Sequence, residues 1–195
     1  MAAPAEALVQ PATLADLDAL PADVKGELID GVLYAMTRPR ARHQAVAGAI
    51  ADDLFGPYHR GRGGPGGWWI LPEPGIELPG AHEIAPDLAG WRRTRLASLP
   101  SDRAINLVPD WVCEVLSPTT RRHNQLVKKP YYARVGVPWL WLVDAEALAL
   151  TVLRLEAGRW VEIGAYGDVR DVRVEPFDAT PLDVLGWWEA LDDVP

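Results

Sequence analysis

Three side chains in the middle of the chain could together hydrolyse a phosphodiester bond. Asp87 follows a proline, Glu114 lies inside the apolar run 111–116, and Lys128 lies in the basic segment that follows. A divalent metal neutralises phosphoryl oxygens and activates water, and it prefers hard oxygen ligands such as carboxylates. A carboxylate in a strand that is buried on both faces also needs a charged partner or a metal. Asp87 and Glu114 therefore fit as ligands of a divalent metal such as Mg²⁺ or Mn²⁺, and Lys128 could orient the attacking water or stabilise the developing charge.

The same residue types also fit a purely structural role. A Glu114–Lys128 ion pair could hold a helix against the sheet without any chemistry, and the spacing alone does not separate the two hypotheses. Lys129 is a second candidate for the active lysine, but it would project about 100° away from Lys128 around a helix. The backbone carbonyl of Val115 could add an oxygen ligand to those of the two carboxylates.

The elements that must position these residues follow from the hydrophobic pattern. Four apolar residues recur every four positions and predict one core-facing helix over 42–59: Val46, Ile50, Leu54 and Tyr58. Asp30-Gly31 between two short apolar runs predicts a β-hairpin over 27–34. Further strands are predicted at 68–71, 75–78, 84–91, 111–116, 138–143, 149–155, 159–163 and 168–175, and further helices at 13–20, from 117–120 to 135, and at 182–191.

The apolar strands 111–116 and 138–143 are joined by a predicted helix that ends at Gly136. A strand–helix–strand connection of this kind places the two strands side by side and parallel. The strands carrying Asp87 and Glu114 are consecutive in this pattern, and consecutive strands usually pair. We find no repeat and no dividing linker, so we predict an N-terminal segment with a short helix over 1–26 and a single domain over 27–195.

Composition limits the possible functions. The 195 residues carry a net charge of −8, which argues against a protein that coats nucleic acid through bulk electrostatics. The longest apolar runs are too short to span a membrane, and residues 1–4 lack the features of a secretory signal. The one cysteine, Cys113, lies in an apolar strand pattern and is predicted to be a buried, inert thiol. These features favour a cytoplasmic location.

Positive residues nevertheless cluster near the candidate site. The three clusters are Arg38, Arg40 and Arg42 with His43; Arg92, Arg93 and Arg95; and Arg121, Arg122 and His123 with Lys128 and Lys129. Those nearest the proposed site and free to contact phosphates are Arg121, Arg122 and Lys129. Three local charges on an acidic protein predict DNA binding that is weak, non-specific and strongly salt-dependent.

Several blocks of the sequence, in this order, resemble the Uma family of restriction-endonuclease-like proteins, part of the PD-(D/E)XK nuclease superfamily. The matching blocks are 27–31, 42–44, 85–91, 109–120, 129–132, 136–138 and 141–144, and the Glu-Val-Leu-Ser-Pro block at 114–118 is quite specific. The resemblance implies an α/β fold with an αβββαβ core, an extra N-terminal hairpin and C-terminal antiparallel strands. It places Asp87 as the first motif acid and Glu114 as the second. The superfamily lysine would stand at position 116, which is Leu116 here, so the resemblance implies that Lys128 of the next helix replaces it.

By this resemblance the chain is predicted to be a metal-dependent endonuclease acting on DNA. The alternative is a nuclease-fold protein that binds nucleic acid or another partner without cleaving. Glu27 matches the family pattern and could complete the acidic cluster, while His43 could act as a base or contact a phosphate. Cutting both strands of a duplex is most simply done by a symmetric homodimer, for which the C-terminal strands together with Trp187 and Trp188 would offer apolar surface.

Overall fold

The protein is built around a central sheet of six strands. This computed structural model describes residues 10–37, 40–189 and 191. The helices are α1 (Leu14–Asp18), α2 (Ala41–Leu54), α3 (Arg121–His123), α4 (Lys129–Val135) and α5 (Val184–Glu189), with π-helical segments at Phe55–His59 and Asn124–Lys128. The strands are β1 (Val24–Ile29), β2 (Val32–Thr37), β3 (Trp68–Pro72), β4 (Ile76–Leu78), β5 (Ala81–Ile84), β6 (Leu88–Arg92), β7 (Trp111–Leu116), β8 (Trp139–Asp144), β9 (Ala149–Glu156), β10 (Arg159–Tyr166), β11 (Val172–Val174) and β12 (Phe177–Leu182).

The strand order of the central sheet is β10-β9-β8-β7-β6-β3. As predicted, β7 and β8 are parallel neighbours, and β6 pairs antiparallel with the other side of β7. The predicted αβββαβ order is formed by α2, β3, β6, β7, the helix over 121–135, and β8. The four predicted core residues of the helix over 42–59 are all buried against one face of this sheet: Val46, Ile50, Leu54 and Tyr58.

A second sheet of order β2-β1-β5-β4 contains the N-terminal hairpin. Asp30 and Gly31 both have positive φ, 51° and 74°, as a two-residue turn that follows the strand twist requires. The hairpin prediction is therefore confirmed. Pairing of β1 with β5 brings Glu27 towards the end of the central sheet at which Glu114 lies, since β5 leads through residues 85–87 into β6.

The predicted strand over 84–91 is wrong, because the chain changes sheets within it. β5 ends at Ile84 in the second sheet, and β6 begins at Leu88 in the central sheet. Pro86 has no amide hydrogen to give to a strand ladder, so a central strand cannot run through it. Asp87 is therefore not within a strand but in the connection immediately before β6.

The C-terminal prediction needs correction as well. The predicted strand over 168–175 contains only the short β11, and its partner β12 was not predicted because Asp178 and Pro181 make its sequence untypical of a strand. The predicted helix over 182–191 corresponds to α5, which begins at Val184. Three parts of the predictions lie outside the described residues: 1–9, Arg38 and Ala190. Within the described ranges, no helix combines the length and apolar character needed to span a membrane.

The two C-terminal tryptophans do not offer surface for a dimer. Trp187 and Trp188 are 1% and 2% exposed, and they pack in the core with Trp141 and β12. The part of the predicted dimer surface that these two tryptophans were expected to supply is thus used inside the protomer. The homodimer itself stays a prediction, to be checked by light scattering at micromolar concentration.

Tyr58 links the two-stranded sheet of β11 and β12 to the π-helical segment that follows α2. Buried Tyr58 donates its hydroxyl hydrogen to the carbonyl of Phe177 and accepts hydrogen bonds from the amide of Thr180 at 2.9 Å and its hydroxyl at 3.0 Å. Tyr58→Phe leaves these groups without a partner, which should lower the free energy of unfolding by about 1–3 kcal/mol. Urea denaturation of this variant and of Tyr34→Phe tests the prediction, because no described residue hydrogen-bonds to the Tyr34 hydroxyl. Equal stability of the two variants would contradict it.

Candidate active site

A cavity of about 70 Å³ lies beside the C-terminal end of β7, next to the hairpin and the helix over 121–135. It is lined by all five residues that the sequence predicted to act together or as accessories: Glu27, His43, Asp87, Glu114 and Lys128. Each of the five is at most 8% exposed. These five buried ionisable side chains thus share one cavity with Lys25 and Arg40, which also line it.

Glu114 enters the cavity because side chains alternate along β7. Cys113 and Val115 pack in the same core cluster as α2, so Glu114 points to the opposite face, towards the helix over 121–135. Its Oε1 accepts hydrogen bonds from Lys128 Nζ at 2.7 Å and from the Tyr132 hydroxyl at 2.6 Å. Burial raises the pKa of Glu114 to about 7, with Lys128 opposing the shift and the negative charges of Asp87 and Glu27 adding to it.

The Asp87 carboxylate is held by one hydrogen bond from β7 and one contact with α2. Its Oδ2 accepts the Val115 amide hydrogen at 2.7 Å, and its Oδ1 lies 2.9 Å from Nε2 of His43 in the first turn of α2. Burial alone would raise the pKa of Asp87, but the contact with His43 and the positive charge of Lys128 lower it. Since Val115 directly follows Glu114, the backbone contact places the two acids side by side.

Lys128 lies between two carboxylates and is only 3% exposed. Its Nζ donates to Glu114 Oε1 at 2.7 Å, to Glu27 Oε1 at 2.9 Å and to the Ala85 carbonyl at 3.2 Å. Burial would lower the pKa of Lys128, but the negative charges of Glu114, Glu27 and Asp87 raise it above its ordinary value. An ammonium has three N–H donors, so all of them are used in this arrangement.

Glu27 connects the hairpin to this cluster and is fully buried. Besides Lys128, it contacts Nε2 of His123 at 2.7 Å and accepts the Ala85 amide hydrogen at 3.0 Å. Burial raises the pKa of Glu27, but these partners, Lys128 first, outweigh it and lower the pKa to about 2. Glu27 is therefore an ionised carboxylate whose oxygens are occupied by neighbouring donors.

The predicted phosphate-contacting residues lie outside the cavity. Arg121 pairs with Asp144 at 2.7 Å, Arg122 is exposed, and Lys129 is half-buried and not part of the lining. Lys128 lines the cavity and Lys129 does not, in agreement with the different directions of adjacent helical residues.

Four residues of the site were not singled out from the sequence. Lys25 and Asn124 line the cavity, and His123 and Tyr132 contact its carboxylates. Asn124 and Tyr132 had a usable signal, since they precede and follow Lys128 by four positions and such pairs share one face of a helix. Lys25 and His123 reach the site through contacts between distant parts of the chain.

The side chains present fit a magnesium or manganese ion. Among the described residues there is no group of three His, Cys, Asp or Glu side chains arranged to hold a metal. Mg²⁺, however, usually binds through one or two carboxylates and keeps several waters. Asp87 and Glu114 supply such a pair of hard oxygen donors, and a cation would offset the repulsion that helps to raise the pKa of Glu114.

Comparisons with known proteins agree with this geometry. The chain matches the family model Uma2, described as "Putative restriction endonuclease", over residues 13–184. Its structure superposes on a crystal structure described as "a putative nuclease belonging to DUF820" from Anabaena variabilis, with a TM-score of 0.72, 19% identity, and coverage of 93% of this chain and 99% of that one. No curated protein matches the chain. The family match spans well over half of the sequence and the superposition confirms the predicted fold class, so the chain belongs to the Uma2 family and has a restriction-endonuclease-like fold.

Proposed function

We propose that the protein is a metal-dependent endonuclease that hydrolyses DNA phosphodiester bonds in the cavity described above. Family membership supports a nuclease-like function in general. The observation that carries the more specific proposal is the convergence of Asp87, Glu114 and Lys128 in one cavity at the end of β7. Two hard oxygen ligands beside one ammonium provide the charges that phosphodiester hydrolysis requires.

Each side chain has a distinct part in this proposal. Asp87 and Glu114 would hold the metal, and Mg²⁺ or Mn²⁺ bound there supplies positive charge to the phosphoryl oxygens and lowers the pKa of a bound water. The Val115 amide and His43 keep the Asp87 carboxylate in one orientation. Lys128 would donate a hydrogen bond to the attacking water or to the developing negative charge.

Lys128 cannot do this in the arrangement observed, because its three donors are already taken. One acceptor has to be released, and Glu114 is the one that a bound cation would also use. Lys128 would keep its contact with Glu27 and turn the freed donor towards the reacting phosphate. Glu27 is thus proposed to hold the lysine in place, not to bind the metal.

A plasmid assay tests the proposed activity. Wild-type protein should convert supercoiled DNA to nicked or linear forms when Mg²⁺ or Mn²⁺ is added, and EDTA should stop the reaction. Glu114→Gln keeps the shape of the side chain and removes its charge, so cleavage and metal binding should be lost while the fold is kept. Glu77→Gln is the matched control, since Glu77 is exposed and lies outside the cavity lining. Cleavage by Glu114→Gln at the wild-type rate would exclude this site.

The observed Glu114–Lys128 ion pair also suits the alternative, a non-cleaving nuclease-fold protein in which the charges only support the structure. The two hypotheses differ in whether the cavity binds a cation. A ligand that binds only the folded state raises stability by roughly 2.7 kcal/mol at 100 times its dissociation constant. We expect Mn²⁺ to stabilise the wild type against thermal unfolding and to have no such effect on Asp87→Ala. A network that serves structure alone would show no metal effect in either protein.

Metal binding should also depend on pH. The pKa of Glu114 is raised to about 7, so its carboxyl is protonated below that value and protons compete with the metal. The affinity for Mn²⁺ should therefore be greatest above pH 7 and fall by up to about tenfold for each pH unit below it. Isothermal titration at several pH values between 5.5 and 8 measures this. Affinity that stays constant over that range would contradict a metal ligand Glu114 that titrates near pH 7.

A further inference from the structure

A second pocket lies at the other end of α2 and is lined by cationic side chains and glycines. This basic pocket, of about 530 Å³, is formed by Arg60, Arg62, Arg93 and His59 together with Gly61, Gly66 and Gly67. Among the described residues, its lining includes no acidic side chain, although the chain carries a net charge of −8. Neither the family match nor the candidate active site gives it a role.

The arginines of the basic pocket are free to bind an anion. In the described ranges, none of Arg60, Arg62 and Arg93 has a carboxylate within ion-pair distance. Elsewhere in the chain six arginines do form such pairs: Arg95, Arg103, Arg121, Arg134, Arg154 and Arg170. Burial lowers the pKa of His59, the hydrogen bond with the Ile70 backbone opposes this shift, and the positive charges of Arg93 and Arg60 add to the lowering.

Arg93 is held rigidly in the pocket wall. Its Nε donates to the Trp68 carbonyl at 3.1 Å, one Nη donates to the His59 carbonyl at 2.9 Å, and its guanidinium lies 3.6 Å from the centre of the Trp69 ring. These contacts fix the plane of the guanidinium and leave further N–H donors for a ligand. A planar, pre-oriented guanidinium suits the oxygens of a phosphate group.

The loop that forms the rest of the wall leaves its backbone open. Gly61, Gly66 and Gly67 have positive φ, which only glycine adopts without strain. The loop is nevertheless ordered, because the amides of Arg62 and Gly66 donate to the carbonyls of Gly56 and Pro57, each at 2.8 Å. A backbone without side chains, beside two exposed arginines, allows close approach of a bulky anion.

The position of the pocket relative to the active site points to a polymer as its ligand. α2 begins beside the cavity at His43, and the π-helical segment that continues it ends beside the basic pocket at His59. At about 1.5 Å per residue the α-helical part from His43 to Leu54 spans about 17 Å, and the shorter π-helical segment brings the separation of the two sites to roughly 20 Å. Phosphates on one strand of B-form DNA repeat every ~3.4 Å along the axis, so the distance corresponds to about six base pairs.

We propose that the basic pocket binds a backbone phosphate of the same nucleic acid whose scissile phosphate lies in the active-site cavity. This inference rests on the proposed function and adds a substrate contact to it. The pocket would supply part of the attraction that an acidic protein otherwise lacks, and it would fix the direction of the duplex along α2. A free phosphate has the same chemistry but would not need a site at this distance from the cavity.

The test compares two double variants in fluorescence-anisotropy titrations with a labelled duplex, with Ca²⁺ present to occupy the active site. Arg60→Ala/Arg62→Ala removes two exposed charges of the basic pocket and keeps Arg93, which supports the structure. Arg159→Ala/Arg173→Ala removes the same charge from the C-terminal strands. We expect the first variant to bind at least tenfold more weakly than the second, and its log–log salt slope to fall by about 0.9 for each phosphate that the protein no longer neutralises. Metal affinity should be unchanged in both.

Three results would overturn the proposal, and they are distinguishable. Equal DNA affinity and salt slope in the two variants would remove the basic pocket from the interface but leave the proposed function standing. Absence of DNA binding by the wild type in any metal would remove both. Thermal stabilisation of the wild type by inorganic phosphate, abolished in Arg60→Ala/Arg62→Ala without any change in DNA affinity, would identify free phosphate as the ligand.

Discussion

Lys128→Met is expected to bind Mn²⁺ more tightly than the wild type and to lose nearly all cleavage. In the observed arrangement Lys128 occupies Glu114 Oε1 at 2.7 Å, so the lysine and a metal compete for the same carboxylate. Methionine has similar length and no charge, and it therefore removes both the competition and the repulsion of the cation. We expect at least a tenfold gain in affinity, which corresponds to about 1.4 kcal/mol. Cleavage should fall by about 10²–10³, as when one charge-stabilising donor is removed from an active site.

Isothermal titration with Mn²⁺ and the plasmid assay measure the two effects in the same preparations. Lys129→Met is the matched control, because Lys129 is adjacent in sequence but does not line the cavity. It should leave metal affinity unchanged and lower the cleavage rate far less than Lys128→Met does. A Lys128→Met protein that binds Mn²⁺ more weakly than the wild type would show that the lysine does not compete for Glu114. One that cleaves normally would exclude the lysine from the chemistry.

Glu27→Ala is expected to lower the stability of the folded protein strongly. The carboxylate is fully buried and is shared by Lys128, His123 and the Ala85 amide. Removing one partner of a buried ion pair costs about 3–5 kcal/mol, because the remaining charge stays buried without compensation. Glu27→Gln should cost less, since the carboxamide oxygen can still accept a hydrogen bond from Lys128.

Urea denaturation of the two Glu27 variants gives their free energies of unfolding, and Glu77→Ala serves as an exposed control. Glu27→Gln should also show whether Glu27 holds Lys128 in place or binds the metal itself. If Glu27 only holds Lys128, Glu27→Gln will bind Mn²⁺ with nearly wild-type affinity and cleave more slowly. Loss of Mn²⁺ binding in that variant would instead make Glu27 a ligand.

Local patterns predicted much of the fold. Interactions between residues close in sequence predicted the turn at Asp30-Gly31 and the buried face of α2. The rule that a strand–helix–strand unit has parallel strands predicted the pairing of β7 with β8. The resemblance at 85–91 and 109–120 then identified Asp87 and Glu114 as a pair. The structure brings both into one cavity with Lys128.

The parts that could not be predicted depend on contacts between distant segments. The change of sheet at Pro86 was hidden because the apolar residues on either side of it look like one strand. Strand β12 is held by Tyr58, more than a hundred residues away, and its own sequence does not favour a strand. The contact of His123 with Glu27 also joins distant residues, 96 positions apart. From the sequence, His123 was only a member of a basic cluster.

The most direct test of the proposed metal site is anomalous diffraction from crystals soaked in Mn²⁺, with data collected for the wild type and Glu114→Gln. We expect a single strong anomalous peak in the cavity, within bonding distance of Asp87 and Glu114 oxygens, with Lys128 moved away from Glu114. The peak should be absent in Glu114→Gln. Saturating Mn²⁺ that leaves the cavity without a peak and Lys128 still bound to Glu114 would contradict the proposed metal site.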